Sequence, residues 1–232
     1  VRSASTIILD NKIIFIKNVD KKEKKDYIEY TLNELAVINM KSKRQIQKES
    51  TRQKIIDTAY RIYATEGFSA STARIAKEAG VSHGTVFAHF QSLNDLLECI
   101  IGEFQISLAA EFHDMGESSA SVSDFLEAHL KVLIDHEEFY LRLITERSLL
   151  PEEVQYVYAD NQTTIAHHFN LLLSREMKNG TVKEVPVHML FNTWLGMIHY
   201  YLWNKDFFSP DEPVLARYAG ELKHTFISLI TK

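Results

Sequence analysis

A single cysteine, Cys99, occurs in 232 residues, so no internal disulfide framework can brace the chain. No apolar run approaches the length needed to cross a bilayer, and the run Ile13, Ile14, Phe15, Ile16 is too brief for the core of a signal peptide. Both absences point to a cytoplasmic protein. There is no glycine-rich loop to cradle a phosphate and no nucleophile–base–orienter pattern, so an enzyme is not expected. Ten histidines are present, but His167 and His168 are adjacent and diverge on a helix, and His136 beside Glu137 and Glu138 has no better spacing. Neither a metal nor a cofactor is expected. Internal repeats and low-complexity tracts are missing, as is any strand-rich stretch after residue 40. What remains is an ordinary globular balance, 45% hydrophobic and 25% charged, with 13 Phe, 10 Tyr and 2 Trp to build a core.

The net charge of −5 is unevenly spread. Residues 40–92 carry nine Lys/Arg against four Asp/Glu, whereas residues 93–232 carry ten against twenty-one. A compact basic segment joined to an acidic remainder points to one module for a polyanion and another with a different task. Residues 1–39 resemble neither part. The segments around Ile7 and Ile14 flank Asp10-Asn11 as a short hairpin would, residues 21–25 form a solvated charge run, and residues 27–38 could form a turn or two of helix. The chain opens on Val1, and Met40 precedes Lys41, Lys43 and Arg44. Met40 is therefore expected to be the natural start, with residues 1–39 a flexible or non-native extension. Three segments follow: a 1–39 extension, a basic 40–92 module and an acidic 93–232 module.

From Glu49 onward the pattern is helical. Ile55, Ile56, Ala59, Ile62 and Tyr63 recur at three- and four-residue steps, and Gly67 closes the helix. Ser71 or Thr72 caps a second helix that Gly80 ends, Ser82 starts a third, and Ser92 with Asp95 starts a fourth. Further helices are expected over 124–134, 138–149, from Pro151 to Lys178, over 186–205 and over 211–231. The fold class is all-α, with an N-terminal three-helix domain and a helical C-terminal domain.

Residues 71–90 carry the functional signal. Ala76 is small enough for two helices to cross closely, Gly80 can take the left-handed conformation of a sharp turn, and Val81 and Val86 fill the angle. This is the mechanics of a helix-turn-helix, whose second helix normally enters the major groove. A purely structural corner has the same small-residue spacing. The stretch as a whole resembles the N-terminal domain of the TetR family of transcriptional regulators over about residues 51–97. The resemblance lies in Gly67-Phe68, Ile75-Ala76, Ala79-Gly80-Val81-Ser82, Gly84-Thr85, Phe87 and His89-Phe90. It implies a phosphate contact from Thr72, a groove or phosphate contact from Arg74, base-edge contacts from Ser82, His83, Gly84 and Thr85, and backbone contacts from Phe87 and His89. This chain departs from the pattern where Phe87 replaces a frequent Tyr, Leu93 a frequent Lys, and His83 a frequent Lys or Arg. Each lost phosphate contact should flatten the salt dependence of binding by about one unit. Lys41, Lys43, Arg44 and Lys48 are candidates to compensate, or form a solvated tail.

The resemblance further implies a homodimer on a palindromic operator, paired through helices 186–205 and 211–231, whose apolar faces could equally be core. A small-molecule effector is expected among Phe125, Phe139, Tyr140, Tyr156, His168, Trp194 and His199, with Phe169 and Tyr200 nearby. The same aromatics at helical spacing also read as core. Effector entry would shift the fourth helix and release DNA, making the protein a repressor. The alternatives are a DNA-binding structural or adaptor protein without an effector, and a helical enzyme.

Overall fold

The computed structural model describes residues 5–9, 12–16, 43–112 and 120–232, and the chain divides into two compact units, residues 1–51 and 52–232. In the first unit the expected hairpin forms. Strand β1 (Ser5–Leu9) pairs antiparallel with β2 (Lys12–Ile16), Ile7 opposite Ile14. The charge run at 21–25, the helix expected at 27–38, Met40 and Lys41 lie outside the described residues. Helix α1 (Lys43–Glu66) begins here, earlier than the apolar periodicity marks it. Its first turns are polar, with a Gln45–Glu49 hydrogen bond of 3.1 Å at i,i+4, and leave no apolar stripe to read. Lys43, Arg44 and Lys48 are exposed residues of this helix and not a tail beyond it.

Among its described residues the second unit contains the rest of α1 and nine further helices: α2 (Thr72–Ala79), α3 (His83–His89), α4 (Leu93–Phe112), α5 (Val122–Asp135), α6 (Glu137–Glu146), α7 (Glu152–Lys178), α8 (Val187–Trp203), α9 (Lys205–Phe208) and α10 (Val214–Ile230). The one β feature among those residues is an isolated bridge, Val182 to Thr231. The all-α expectation holds from Lys43 onward. Helix α4 packs on α5 and α7, α10 on α5 and α8, and α7 on α8. Each fully buried Leu, Ile or Phe contributes about 1.5–3 kcal/mol, against at most ~1 kcal/mol for an exposed ion pair. The shared core from Ile55 to Ile230, and not surface charge, therefore holds the unit together.

Several boundaries differ from expectation for identifiable reasons. The helix expected at 124–134 starts at Val122 because Ser121 and Asp124 form a reciprocal capping box. The helix expected over 138–149 stops at Glu146 and tightens into a 3-10 turn, Arg147–Leu149. Pro151 sits at the cap of α7, one residue outside it. The helix expected to reach Lys205 is broken at Asn204. The last helix begins at Val214, three residues late. Pro213 stands at its cap, and the carboxylate of Glu137 accepts hydrogen bonds from the backbone N–H groups of Val214 and Leu215, at 2.9 and 2.8 Å.

Candidate nucleic-acid interface

The corner at residues 71–90 is built as its local chemistry dictates. The Ser71 hydroxyl accepts from the Arg74 N–H and caps α2. Gly80 follows at φ 63°, and Val81 N–H bonds back to the Ala76 carbonyl at 3.0 Å. The Ser82 hydroxyl then accepts from the Thr85 N–H at 3.0 Å and starts α3. Ile75, Ala76, Ala79, Val86 and Phe90 are buried, and Val81 packs against them half-exposed. This inner row leaves Ser82, His83, Gly84 and Phe87 facing out, with Thr72, Thr85 and His89 half-buried.

The candidate contacts touch one another. Thr72 Oγ1 lies 2.9 Å from His83 Nε2, joining α2 to α3, and the His83 ring meets the edge of Phe87 at 5.0 Å between centroids. Phe87 thus lacks the phenolic donor of a Tyr, yet braces the imidazole at the exposed start of α3. The hydroxyls of Ser82 and Thr85 are 2.8 Å apart. Arg74 is already engaged: its guanidinium bonds Glu66 at 2.9 Å and Glu78 at 2.8 Å, and those hydrogen bonds raise its pKa and lower that of Glu78. Gly84 is the telling position. It is helical, and a Cβ there would meet only the Ser82 hydroxyl, at 3.8 Å, an ordinary contact. Nothing inside the protein requires glycine at this place, although glycine weakens a helix by roughly 0.5–1 kcal/mol. Sequence reasoning missed Lys54, whose ammonium lies 3.7 Å from where a Cβ on Gly80 would stand and adds a cation beside the turn.

Helix α6 carries this head. On one side Phe139 stacks on Tyr60 of α1 at 4.5 Å between centroids and meets Phe68 at 5.8 Å. Arg142 donates to the Thr65 carbonyl at 3.0 Å, on the last turn of α1, and pairs with Glu146 at 3.0 Å. Glu146 in turn accepts from the Phe68 N–H at 2.7 Å, beneath Gly67 at φ 85°. On the other side Glu137 caps α10, Glu138 pairs with Lys205 at 2.5 Å, and Tyr140 is 2.9 Å from His199 of α8. No local pattern in the sequence marks these contacts.

Of the residues expected to line a ligand pocket, Phe125, Phe139, Tyr140 and Trp194 are buried core, as is Phe169, and His168 and His199 are half-buried. Tyr156 and Tyr200 are exposed. Two cavities, of about 350 and 340 Å³, lie elsewhere and are lined by none of them. A few polar groups are set within this apolar interior. His129, which sequence reasoning passed over, is fully buried and accepts from the Trp194 indole at 3.0 Å; burial holds its pKa down at about 3. Burial also lowers His199, to about 4, and raises Tyr140. Gln162 donates to the Tyr158 hydroxyl at 3.1 Å, while Gln162 Oε1 and Asn170 Oδ1 are buried without a hydrogen-bond partner among the described residues.

The fold and this corner have the geometry of a helix-turn-helix domain on a helical body. Residues 55–100 match the model of the family described as bacterial regulatory proteins, tetR family. Over this stretch the chain is similar to the tetR family. It is 32% identical over 161 residues to the HTH-type transcriptional regulator YerO of Bacillus subtilis, a match covering 65% of this chain and 54% of that protein. The chain thus spans about half the length of this relative, and less of the next two. Among solved structures it resembles the TetR-family regulator PfmR of Thermus thermophilus (TM-score 0.65, 20% identity, 75% of this chain and 97% of that one). It also resembles FadR of Bacillus subtilis in complex with stearoyl-CoA (TM-score 0.62, 18% identity, 76% and 97%). These relatives are regulators, not enzymes. Among the described residues no helix is long and apolar enough to cross a membrane.

Proposed function

We propose that the protein is a cytoplasmic, sequence-specific DNA-binding transcriptional regulator that acts as a homodimer and represses until an effector releases it. The observation that carries the DNA-binding part is Gly84. A helix start stripped of its side chain, exposed between Ser82, His83 and Thr85 and without an internal reason for glycine, fits close approach to a base-pair edge. Thr72, Arg74, Phe87 and His89 surround it as backbone contacts. Arg74 must exchange a carboxylate for a phosphate to take part, and Lys54 is a further cation within reach of the duplex. Lys43, Arg44 and Lys48 are exposed on the first turns of α1.

Dimerisation through α8 and α10 is supported by their outer faces. Met189, Tyr200 and Trp203 on α8 and Leu229 on α10 are more than half exposed, and Gly196, on the same side of α8 as the first three, has open space where a Cβ would stand. Exposed apolar side chains alternating with bare backbone fit a close helix–helix seam between two copies. Effector binding in the body is supported by the orphaned oxygens of Gln162 and Asn170, which await a donor. His129 and His199 stay neutral at physiological pH, so the buried part of the effector is uncharged. FadR shows that the fold can take an acyl-CoA; here an apolar chain is compatible with the interior and a polyphosphate is not.

Selection of bound duplexes from a random pool tests the reading. A palindromic motif whose affinity falls steeply with salt is the expected result. Recovery of unrelated sequences with no shared motif would favour a structural DNA-binding protein.

A further inference from the structure

The geometry points to a second ligand site, at the joint between α1 and α4, that takes a small organic cation built on a flat apolar ring. It goes beyond the proposed function and is separate from the interior of the body. A cavity of about 340 Å³ opens there, lined among others by Tyr60, His136 and the nearly buried Ile56 and Phe104. Tyr60 and His136 are locked to each other by a 2.6 Å hydrogen bond, and Phe104 meets the His136 ring edge-on at 5.4 Å. Three rings fixed in this way form a preorganised aromatic wall, which attracts a cation through the ring quadrupoles. Burial lowers the pKa of His136, so this ring adds no positive charge at neutral pH.

The rim selects the sign of the ligand. Asp57 and Glu103 supply two carboxylates against one guanidinium, Arg61, whose charge also acts on Glu78. Asp57 spends one oxygen on Gln53, at 2.9 Å. Half-buried Glu103 has no hydrogen-bond or ion-pair partner among the described residues. An aromatic wall facing an unspent carboxylate is the chemistry that recognises an arylammonium or amidinium group, with the ring against Tyr60 and Phe104 and the charge toward Glu103. Because the walls belong to α1 on one side and to α4 and the cap of α6 on the other, an occupant bridges the DNA-binding head and the body.

The test needs no DNA, so it stands apart from the function proposed above. The full chain is titrated with phenyltrimethylammonium, its neutral analogue 2-phenyl-2-propanol and benzoate, by calorimetry and by amide shift mapping. The cation is expected to bind best and to move the resonances of residues 56–61, 103 and 104. Glu103→Gln should weaken it about fivefold, in line with an ion pair at a half-exposed site, and Arg61→Gln should tighten it. Thermal midpoints check that both variants fold. Equal affinity for the three probes, shifts confined to other residues, no binding of the cation in the millimolar range, or unchanged affinity in both folded variants would overturn the proposal.

Discussion

Gly84 and Gly67 are glycines for opposite reasons. At Gly84 a methyl group fits, so Gly84→Ala should leave the fold intact or stabilise it by about 0.5–1 kcal/mol. Operator affinity should nevertheless fall at least several-fold if the duplex approaches Gly84 as proposed. Thermal melting beside fluorescence anisotropy on a selected operator would show the two effects diverge; an unchanged Kd refutes the contact. At Gly67 a Cβ would lie 2.6 Å from a Glu146 carboxylate oxygen, with φ at 85°. Gly67→Ala should cost roughly 1–3 kcal/mol, read as a lower urea midpoint. The corner's residues were legible in the sequence because each acts on its near neighbours: Gly80 turns the chain, and Ser82 caps the helix it precedes. The Glu146 carboxylate beneath Gly67 was not, since it comes from far along the chain.

Elements were legible to the same rule. Helices with their own caps and apolar stripes, such as α2, α3 and α7, lie close to where periodicity puts them. Helix α10 does not, because its start is fixed by Glu137 from 77 positions earlier. Removing that carboxylate leaves two buried N–H groups without an acceptor, so Glu137→Ala should destabilise the chain by about 1–3 kcal/mol or more. Glu137→Gln gives a subtler signature. Burial raises the pKa of Glu137 above its unfolded value near 4.5. The folded state therefore holds its proton more tightly, and the associated stability, fully present below the unfolded pKa, is lost as pH rises through the folded one. Relative to Glu137→Gln, the parent chain should lose stability as pH climbs from 4.5. Urea midpoints across that range would check the slope, and a constant difference would contradict it.

At the scale of the whole molecule, charge counts alone show a basic stretch, residues 40–92, followed by an acidic remainder. The polar groups of the interior were not legible in this way, because the pairing of His129 with Trp194 spans 65 positions and depends on how helices stack. That interior predicts acid lability. His129 and His199 titrate at about 3 and 4 when folded, against about 6.5 when unfolded. Between those limits the unfolded chain binds more protons, so stability is fully present above about pH 6.5 and falls as pH drops toward about 4, by about 1 kcal/mol per pH unit for each histidine. His199→Gln should roughly halve this slope in denaturant titrations. The proposed seam is open to test as well: Gly196→Leu, at a position where a Cβ meets nothing within 4 Å, should shift sedimentation from dimer toward monomer. Helix α6 has a last consequence. It is a short rod pinned by carboxylates at both ends, by Glu137 to the start of the last helix and by Glu146 to the close of the first. Neither end can tilt without the other, so a torque applied at the start of α10 is transmitted to the turn at Gly67 that closes α1.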